Sequence, residues 1–326
     1  MTPLPNAVAS QTLAREVEHA IAASRHITAT DLFALAADVY GGTLAEGAFT
    51  PRDAYDAAEL GLHLHLLRLG PVGDDPAAAL AEVERLSTLL PTQTRRTVEQ
   101  NDFQQFSTPA AYAGLCAWVS GVGEGCRVLE PSAGTGALCT FALASGATIH
   151  ANELSGRRAD LLAVLLEEAG QDPSRTLTRE NADHLDAILP LEARADVVLM
   201  NPPFSQTAGR LGTRRVPTVG TDHVLQALRR LDTGGRLVAV LSAAVQRGKP
   251  THQAFFQALD ADPFRLRADV EVGGAVYRPY GTSVRTRVLV VDREMEGKAA
   301  DGEGRVEAAV ESVNEAADAL APTFVG

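Results

Sequence analysis

Along residues 6–100, apolar side chains return every three or four positions, the spacing of helices with one buried face. VASQTLAREVEHAIAAS (8–24) is the first such run. ATDLFALAADVYGG (29–42) is the second, with Thr30 placed to cap its start and Gly41-Gly42 to end it. TPRDAYDAAELGLHLHLLRLG (50–70) begins with Thr50 as cap and Pro51 in the first turn, where its missing N–H costs nothing. DPAAALAEVERLSTLL (75–90) starts from Asp75 in the same way. No two-residue alternation interrupts these runs, so residues 1–100 are expected to form a helical N-terminal domain. His63 and His65 lie two apart and cannot share a helix face. Packing or surface positions are expected of them.

From about residue 105 the pattern changes. Short apolar runs alternate with amphipathic ones. Strands are expected at 126–130, 147–153, 175–181, 195–201, 235–242, 264–272 and 283–292. Helical stretches separate most of them, among them GALCTFALASG, SGRRADLLAVLLEEAG, TDHVLQALRRL and THQAFFQAL. Strand-helix alternation of this length predicts an α/β fold, a mostly parallel Rossmann-like sheet covered on both faces. The last two strands have no helical run between them, which predicts an antiparallel hairpin at one edge. Residues 294–326 are acidic and Ala-rich and are expected to form a loosely attached helix or a partly disordered tail.

Composition narrows the classes. With 326 residues and 45% hydrophobic content the chain can bury a large core. It has no uninterrupted apolar run of membrane-spanning length, and its N-terminus lacks a signal-peptide pattern. Cys116, Cys126 and Cys139 have no metal-site spacing, so free thiols in a reducing cytoplasm and no metal are expected. The net charge of −12 argues against indiscriminate nucleic-acid coating. The charge is uneven, however. Residues 201–250 hold eight bases against two acids, a basic island that is either a nucleic-acid contact or a solvated face.

The strand ends carry the chemistry. The first runs into LEPSAGTGAL, a turn in which Gly134 and Gly136 let backbone approach a ligand. It is not a P-loop, lacking the Lys-Ser/Thr, and it lacks the full GxGxxG. Glu153 ends the second strand, where an acid can accept hydrogen bonds from ribose hydroxyls. Asp183 follows the third, where an acid can accept from an adenine amine. Three such ends in order predict a nucleoside-containing cofactor. The fourth strand stops at Asn201-Pro202-Pro203-Phe204. Two prolines fix the corner. The Asn201 side-chain oxygen and the Pro202 carbonyl can both accept from one exocyclic amine, and Phe204 can stack on its ring.

The set EPSAGTGAL, NEL, NADHL and NPPF resembles the class I S-adenosylmethionine-dependent methyltransferases, and more narrowly those acting on the N6 amine of DNA adenine. QQFSTPAAYAGLCAWV (104–119) supports the narrower reading, because those enzymes carry a related Ser/Thr-Pro element over the methionine end of the cofactor. The motif order is that of their gamma group, and YRPYGTSVRTRVLVVDR resembles methyltransferase modules of phage and plasmid proteins. The resemblance covers residues 100–293. It implies a seven-stranded class I sheet over residues 101–293, with 1–100 and 294–326 as flanking segments.

It also implies S-adenosylmethionine as cofactor, held by Phe106, Thr108 and Pro109, by Glu130, Pro131, Ser132, Ala133, Gly134 and Gly136, by Glu153 and Leu154, and by Asp183 and Asn201. Asn201, Pro202, Pro203 and Phe204 would present a flipped adenine from duplex or single-stranded DNA. The long connection 205–220 is expected to be mobile, and its Arg210, Arg214 and Arg215 to hold phosphates. A sizeable target-recognition domain, usual in that group, is missing after residue 293. Target choice is left to the N-terminal helices, to loops or to a protein partner. Ribosomal RNA guanine and protein glutamine methyltransferases share related Asn-Pro-Pro corners and are the rival readings. A non-catalytic binding module and a nicotinamide oxidoreductase are the remaining ones.

Overall fold

The computed structural model describes residues 5–93, 107–188, 194–204, 206–207, 215–216, 218–295 and 304–324. Four helices come first: α1 (Pro5–Ala22), α2 (Ala29–Tyr40), α3 (Pro51–Leu69) and α4 (Pro76–Ser87). Thr50 caps α3 and closes a capping box with Asp53, and Asp75 caps α4. The cap of α2 is Thr28 rather than the expected Thr30, because Thr28 accepts from the Asp31 N–H and Asp31 returns the bond. Thr30 has Phe33 three residues on and cannot form that pair.

Then follow α5 (Ala110–Ser120), β1 (Arg127–Glu130), α6 (Ala137–Ala144), β2 (Thr148–Asn152), α7 (Gly156–Glu168), β3 (Leu177–Thr178) and β4 (Ala195–Met200). A two-residue ribbon, β5 (Gln206–Thr207) with β6 (Arg215–Val216), stands apart from the main sheet. The chain continues through α8 (Val219–Leu228), β7 (Leu231–Ser242), α9 (Gln253–Leu259), β8 (Phe264–Val272), β9 (Thr286–Arg293), β10 (Val306–Val310) and α10 (Val313–Phe324). The sheet order is β3-β2-β1-β4-β7-β9-β8-β10. Only β9 runs against the others.

The strand pattern explains the two cores. Val128, Val197, Leu199, Val238, Val240, Val288 and Val290 point to one face, and their chain neighbours Leu129, Val198, Met200, Leu237, Ala239, Leu241, Leu289 and Val291 to the other. The first face is covered by α5, α6, α7 and α10, and its core runs on without a break into α1 and α3. The second is covered by α8 and α9. Burial on both faces gives β9 its run of six buried residues.

Four expectations need correction. The sheet has eight strands, not seven. The antiparallel pair β8–β9 is not an edge hairpin: β9 inserts between β7 and β8, and a 3-10 segment, Gly274–Tyr280, joins the two. The edge is β10, which comes from the acidic tail and pairs in parallel with β8. Its successor α10 buries Val313, Ala316, Ala317 and Leu320. The stretch 175–181 yields only the two-residue β3, because Asp172 caps a helical turn at Pro173–Thr176.

The C-terminal ends of β3, β2, β1 and β4 share one edge. The chain leaves β1 toward β2 on one side, while β4 lies on the other. This reversal opens a crevice at the ends of β1 and β4.

Candidate active site

One cleft at that edge is lined by Ser107, Thr108, Glu130, Ser132–Thr135, Glu153, Arg158 and Asn201–Pro203. A second adjoins it through Ser132, Glu153 and Pro203, and is lined by Leu154, Glu180–Asp183, Val219 and His223. The four strand-end motifs therefore lie along one continuous groove.

The loop after β1 shows two different uses of glycine. Gly134 has φ +60°, and a Cβ there would meet nothing within 4 Å, so its missing side chain leaves the cleft open. Gly136 has φ +101°, and a Cβ would sit 2.5 Å from Leu165 Cδ2. Gly136 thus serves the packing of the loop on α7.

Glu153 is 8% exposed and already holds the loop: Gly134 N–H donates to its Oε2 and Ser155 N–H to its Oε1, both at 2.8 Å. Leu154 beside it is 61% exposed, an apolar side chain displayed at the groove. Asp183 accepts from His223 Nε2–H at 2.7 Å and from Asn181 Nδ2 at 3.2 Å. Burial pushes its carboxyl up, but the His223 hydrogen bond and charge outweigh it and hold the carboxyl below the usual range.

Glu130 is 1% exposed, and neither carboxylate oxygen has a hydrogen-bond partner among the described residues. Burial, with Glu153 nearby, pushes its carboxyl well above the ordinary range. A buried carboxylate without donors is costly unless a ligand supplies one.

The sequence segments 107–109 and 201–203 meet directly. Asn201 Nδ2 donates to Thr108 Oγ1 at 2.9 Å, which fixes the orientation of the amide. Pro109 caps α5. Phe204 is nine-tenths covered and does not line the cleft. Phe106, Arg210, Arg214 and the side chain of Arg215 lie outside the described residues, as does most of the 205–220 connection. Among the described residues of the basic island, four arginines are spent within the protein. Arg229 and Arg230 bind Asp186, Arg236 binds Asp292 and Arg247 binds Asp260.

Other contributors have no signature in the sequence. Asn152, 1% exposed, ties three strand ends together: its Nδ2 donates to Pro131 O and Glu180 O, and its Oδ1 accepts from Thr178 Oγ1 and Glu180 N. Helix α3 grips the loop from behind. His63 Nδ1–H donates to Thr135 O at 3.2 Å, while Glu59 accepts from Thr135 Oγ1 at 3.0 Å and Ser107 Oγ at 2.8 Å. His63 is thus a packing histidine with a defined partner in the groove wall. Asp56 of α3 reaches Arg157 and Arg158 of α7. Among the described residues no group of metal-ligating side chains occurs, the three cysteines are free, and no helix is long and apolar enough to cross a membrane.

No family model matches the sequence, and no curated protein does. Solved structures do match in shape. A protein from Listeria monocytogenes assigned to the class I S-adenosylmethionine-dependent methyltransferases has a TM-score of 0.54 at 14% identity, over 96% of each chain. A modification subunit assigned to a type I restriction enzyme of Vibrio vulnificus has a TM-score of 0.52 at 18% identity, over 76% of this chain and 59% of that one. The type I restriction-modification methyltransferase subunit of Streptococcus thermophilus has a TM-score of 0.52 at 15% identity, over 84% and 63%. The chain spans about three fifths of the length of these two subunits. The fold is α/β, with the Rossmann-like sheet of class I methyltransferases.

Proposed function

We propose that this protein is an S-adenosylmethionine-dependent methyltransferase that modifies the N6 amine of adenine in DNA. The observation that carries the reading is the meeting of Thr108 and Asn201 at the mouth of a groove walled by Glu130, the Gly134 loop and Glu153. The residues fit the cofactor. The orphaned Glu130 carboxylate suits its ammonium, Gly134 leaves room for its chain, Glu153 has remaining lone pairs for ribose hydroxyls, and Leu154 offers an apolar face to its base. Asp183, held ionised by His223, suits the adenine amine. When bound, S-adenosylmethionine supplies a sulfonium methyl that is already electrophilic.

The chain's own task is then positioning. Asn201 Oδ1 and the Pro202 carbonyl accept the two N–H bonds of the acceptor amine, draw the nitrogen toward sp³ geometry and aim its lone pair. Thr108 keeps the Asn201 amide from flipping. Phe204, covered here, would have to turn outward to stack on the base. The base must leave a duplex to reach the corner, at a cost of a few kcal/mol.

DNA is favoured as acceptor because two of the structures sharing the fold are modification subunits of type I restriction enzymes. The 205–220 connection and its arginines, or a protein partner, are proposed to contribute to target choice. The test is incubation with labelled S-adenosylmethionine and, separately, duplex DNA, single-stranded DNA, ribosomal RNA and protein extract, with products identified by mass. N6-methyladenine in DNA is expected. Label only in RNA guanine or protein glutamine overturns the substrate, and no label from a cofactor-binding protein overturns catalysis.

A further inference from the structure

We infer that Arg158 of α7 binds the carboxylate of the cofactor's amino-acid end, and that Asp56 of α3 positions it. The inference rests on the cofactor proposed above and extends it to a residue outside the four strand-end motifs. Arg158 is 7% exposed and lines the same cleft as Ser107, Glu130 and Thr135. A guanidinium buried this deeply needs an anion.

Asp56, the nearest carboxylate, is an incomplete answer to that need, and Glu153 and Glu59 add charge attraction without a hydrogen bond. Its Oδ2 already accepts from Arg157 Nε at 3.0 Å, and Arg157 Nη2 lies 2.8 Å from the same oxygen in an ion pair. Arg158 Nε lies 3.6 Å from the same oxygen, beyond hydrogen-bond length, and has no hydrogen-bond partner among the described residues. One carboxylate therefore serves two arginines, and Arg157 takes its best bonds. Arg158 keeps donor capacity at the cleft wall. A planar guanidinium matches the two oxygens of a carboxylate.

The same cleft holds the orphaned carboxylate of Glu130. A narrow, buried cleft with one unsatisfied acid and one under-satisfied base is complementary to a zwitterion. The amino-acid end of S-adenosylmethionine is one, with an ammonium for Glu130 and a carboxylate for Arg158. The wall that positions the base belongs to the N-terminal helices. This gives α3 an indirect part in cofactor selection, through Arg158.

The experiment compares S-adenosylhomocysteine with its decarboxylated analogue, which keeps the ammonium, by isothermal titration calorimetry. The wild-type protein should prefer S-adenosylhomocysteine by about 10- to 100-fold, the range of a charge-assisted hydrogen-bonded pair. Arg158→Gln should remove that preference by weakening S-adenosylhomocysteine alone, and Arg158→Lys should restore part of it. Asp56→Asn should reduce the preference by a smaller factor while the analogue's affinity stays constant. Asp56 keeps Arg157 when Arg158 is replaced, so the fold retains that pair. If the wild-type protein binds both compounds equally, the proposal is overturned without any variant. Equal weakening of both compounds by Arg158→Gln also overturns it, as a structural role would produce that result. A wild-type protein that binds neither compound refutes the cofactor reading itself, a separate outcome.

Discussion

The grip of α3 on the cofactor loop makes a specific prediction about pH. Glu59 and His63 lie one turn apart on α3, and both hold Thr135. Burial, with Asp56 adding to it, pushes the Glu59 carboxyl from 4.5 up to about 7. Burial pushes the His63 imidazole from 6.5 down to about 4. Each shift corresponds to about 3 kcal/mol at 1.36 kcal/mol per pKa unit. The signs oppose. Between pH 4.5 and 7 the native state holds a proton on Glu59 that the unfolded chain has lost, so this group lowers stability as pH rises. Between pH 4 and 6.5 the unfolded chain protonates His63 and the native state does not, so this group raises stability as pH rises. In the wild-type protein the two contributions nearly cancel from pH 4.5 to 6.5. Replacing either residue exposes the other. The stability of Glu59→Gln relative to wild type should climb by about 3 kcal/mol from pH 4.5 to 7. That of His63→Gln relative to wild type should fall by a similar amount from pH 4 to 6.5. Urea denaturation at half-unit pH steps measures both differences. Two flat differences, or two of the same sign, would refute the argument that these groups are buried in opposite protonation-sensitive roles.

Asn201→Ala should abolish methyl transfer, read by product mass, while the affinity for S-adenosylhomocysteine changes less than about threefold. Gly136→Ala should cost about 2–4 kcal/mol of unfolding free energy, from a left-handed backbone and a clash with Leu165. Gly134→Ala has open space and should cost about 1 kcal/mol in the same urea titration, with its larger effect on cofactor affinity. Paired replacement of Arg214 and Arg215 by Ala should weaken DNA binding and flatten its dependence on salt by about one or two units of log–log slope; an unchanged slope in a fluorescence-anisotropy titration removes those arginines from the interface.

What the sequence discloses about the site follows from how strands and helices differ. In a parallel sheet, strand direction alone puts the ends of β1, β2, β3 and β4 on one edge, so a reader who finds the strands also finds Glu130, Glu153, Asp183 and Asn201 in one groove. Helical periodicity says only which face of α3 is buried. It does not say that the face will meet Thr135, 76 residues from Glu59, or α7, 101 residues on from Asp56 to Arg157. Charge is misleading for the same reason. The described arginines of the basic island look free along the chain because their partners are remote, as with Arg236 and Asp292, 56 positions apart. The acidic tail hid a two-residue alternation, VEAAV, whose strand exists only because β8 offers an unpaired edge. Asn152 carries no signal of its own beside Glu153, since an amide at a strand end has no distinctive spacing. Its worth lies in the Pro131, Thr178 and Glu180 groups that the finished sheet brings around it. Local pattern therefore delivers the groups that face a ligand, and docking delivers the groups that hold them there. In this protein the second set comes in good part from α3, so a deletion of the N-terminal helices should damage the groove as well as any surface they present.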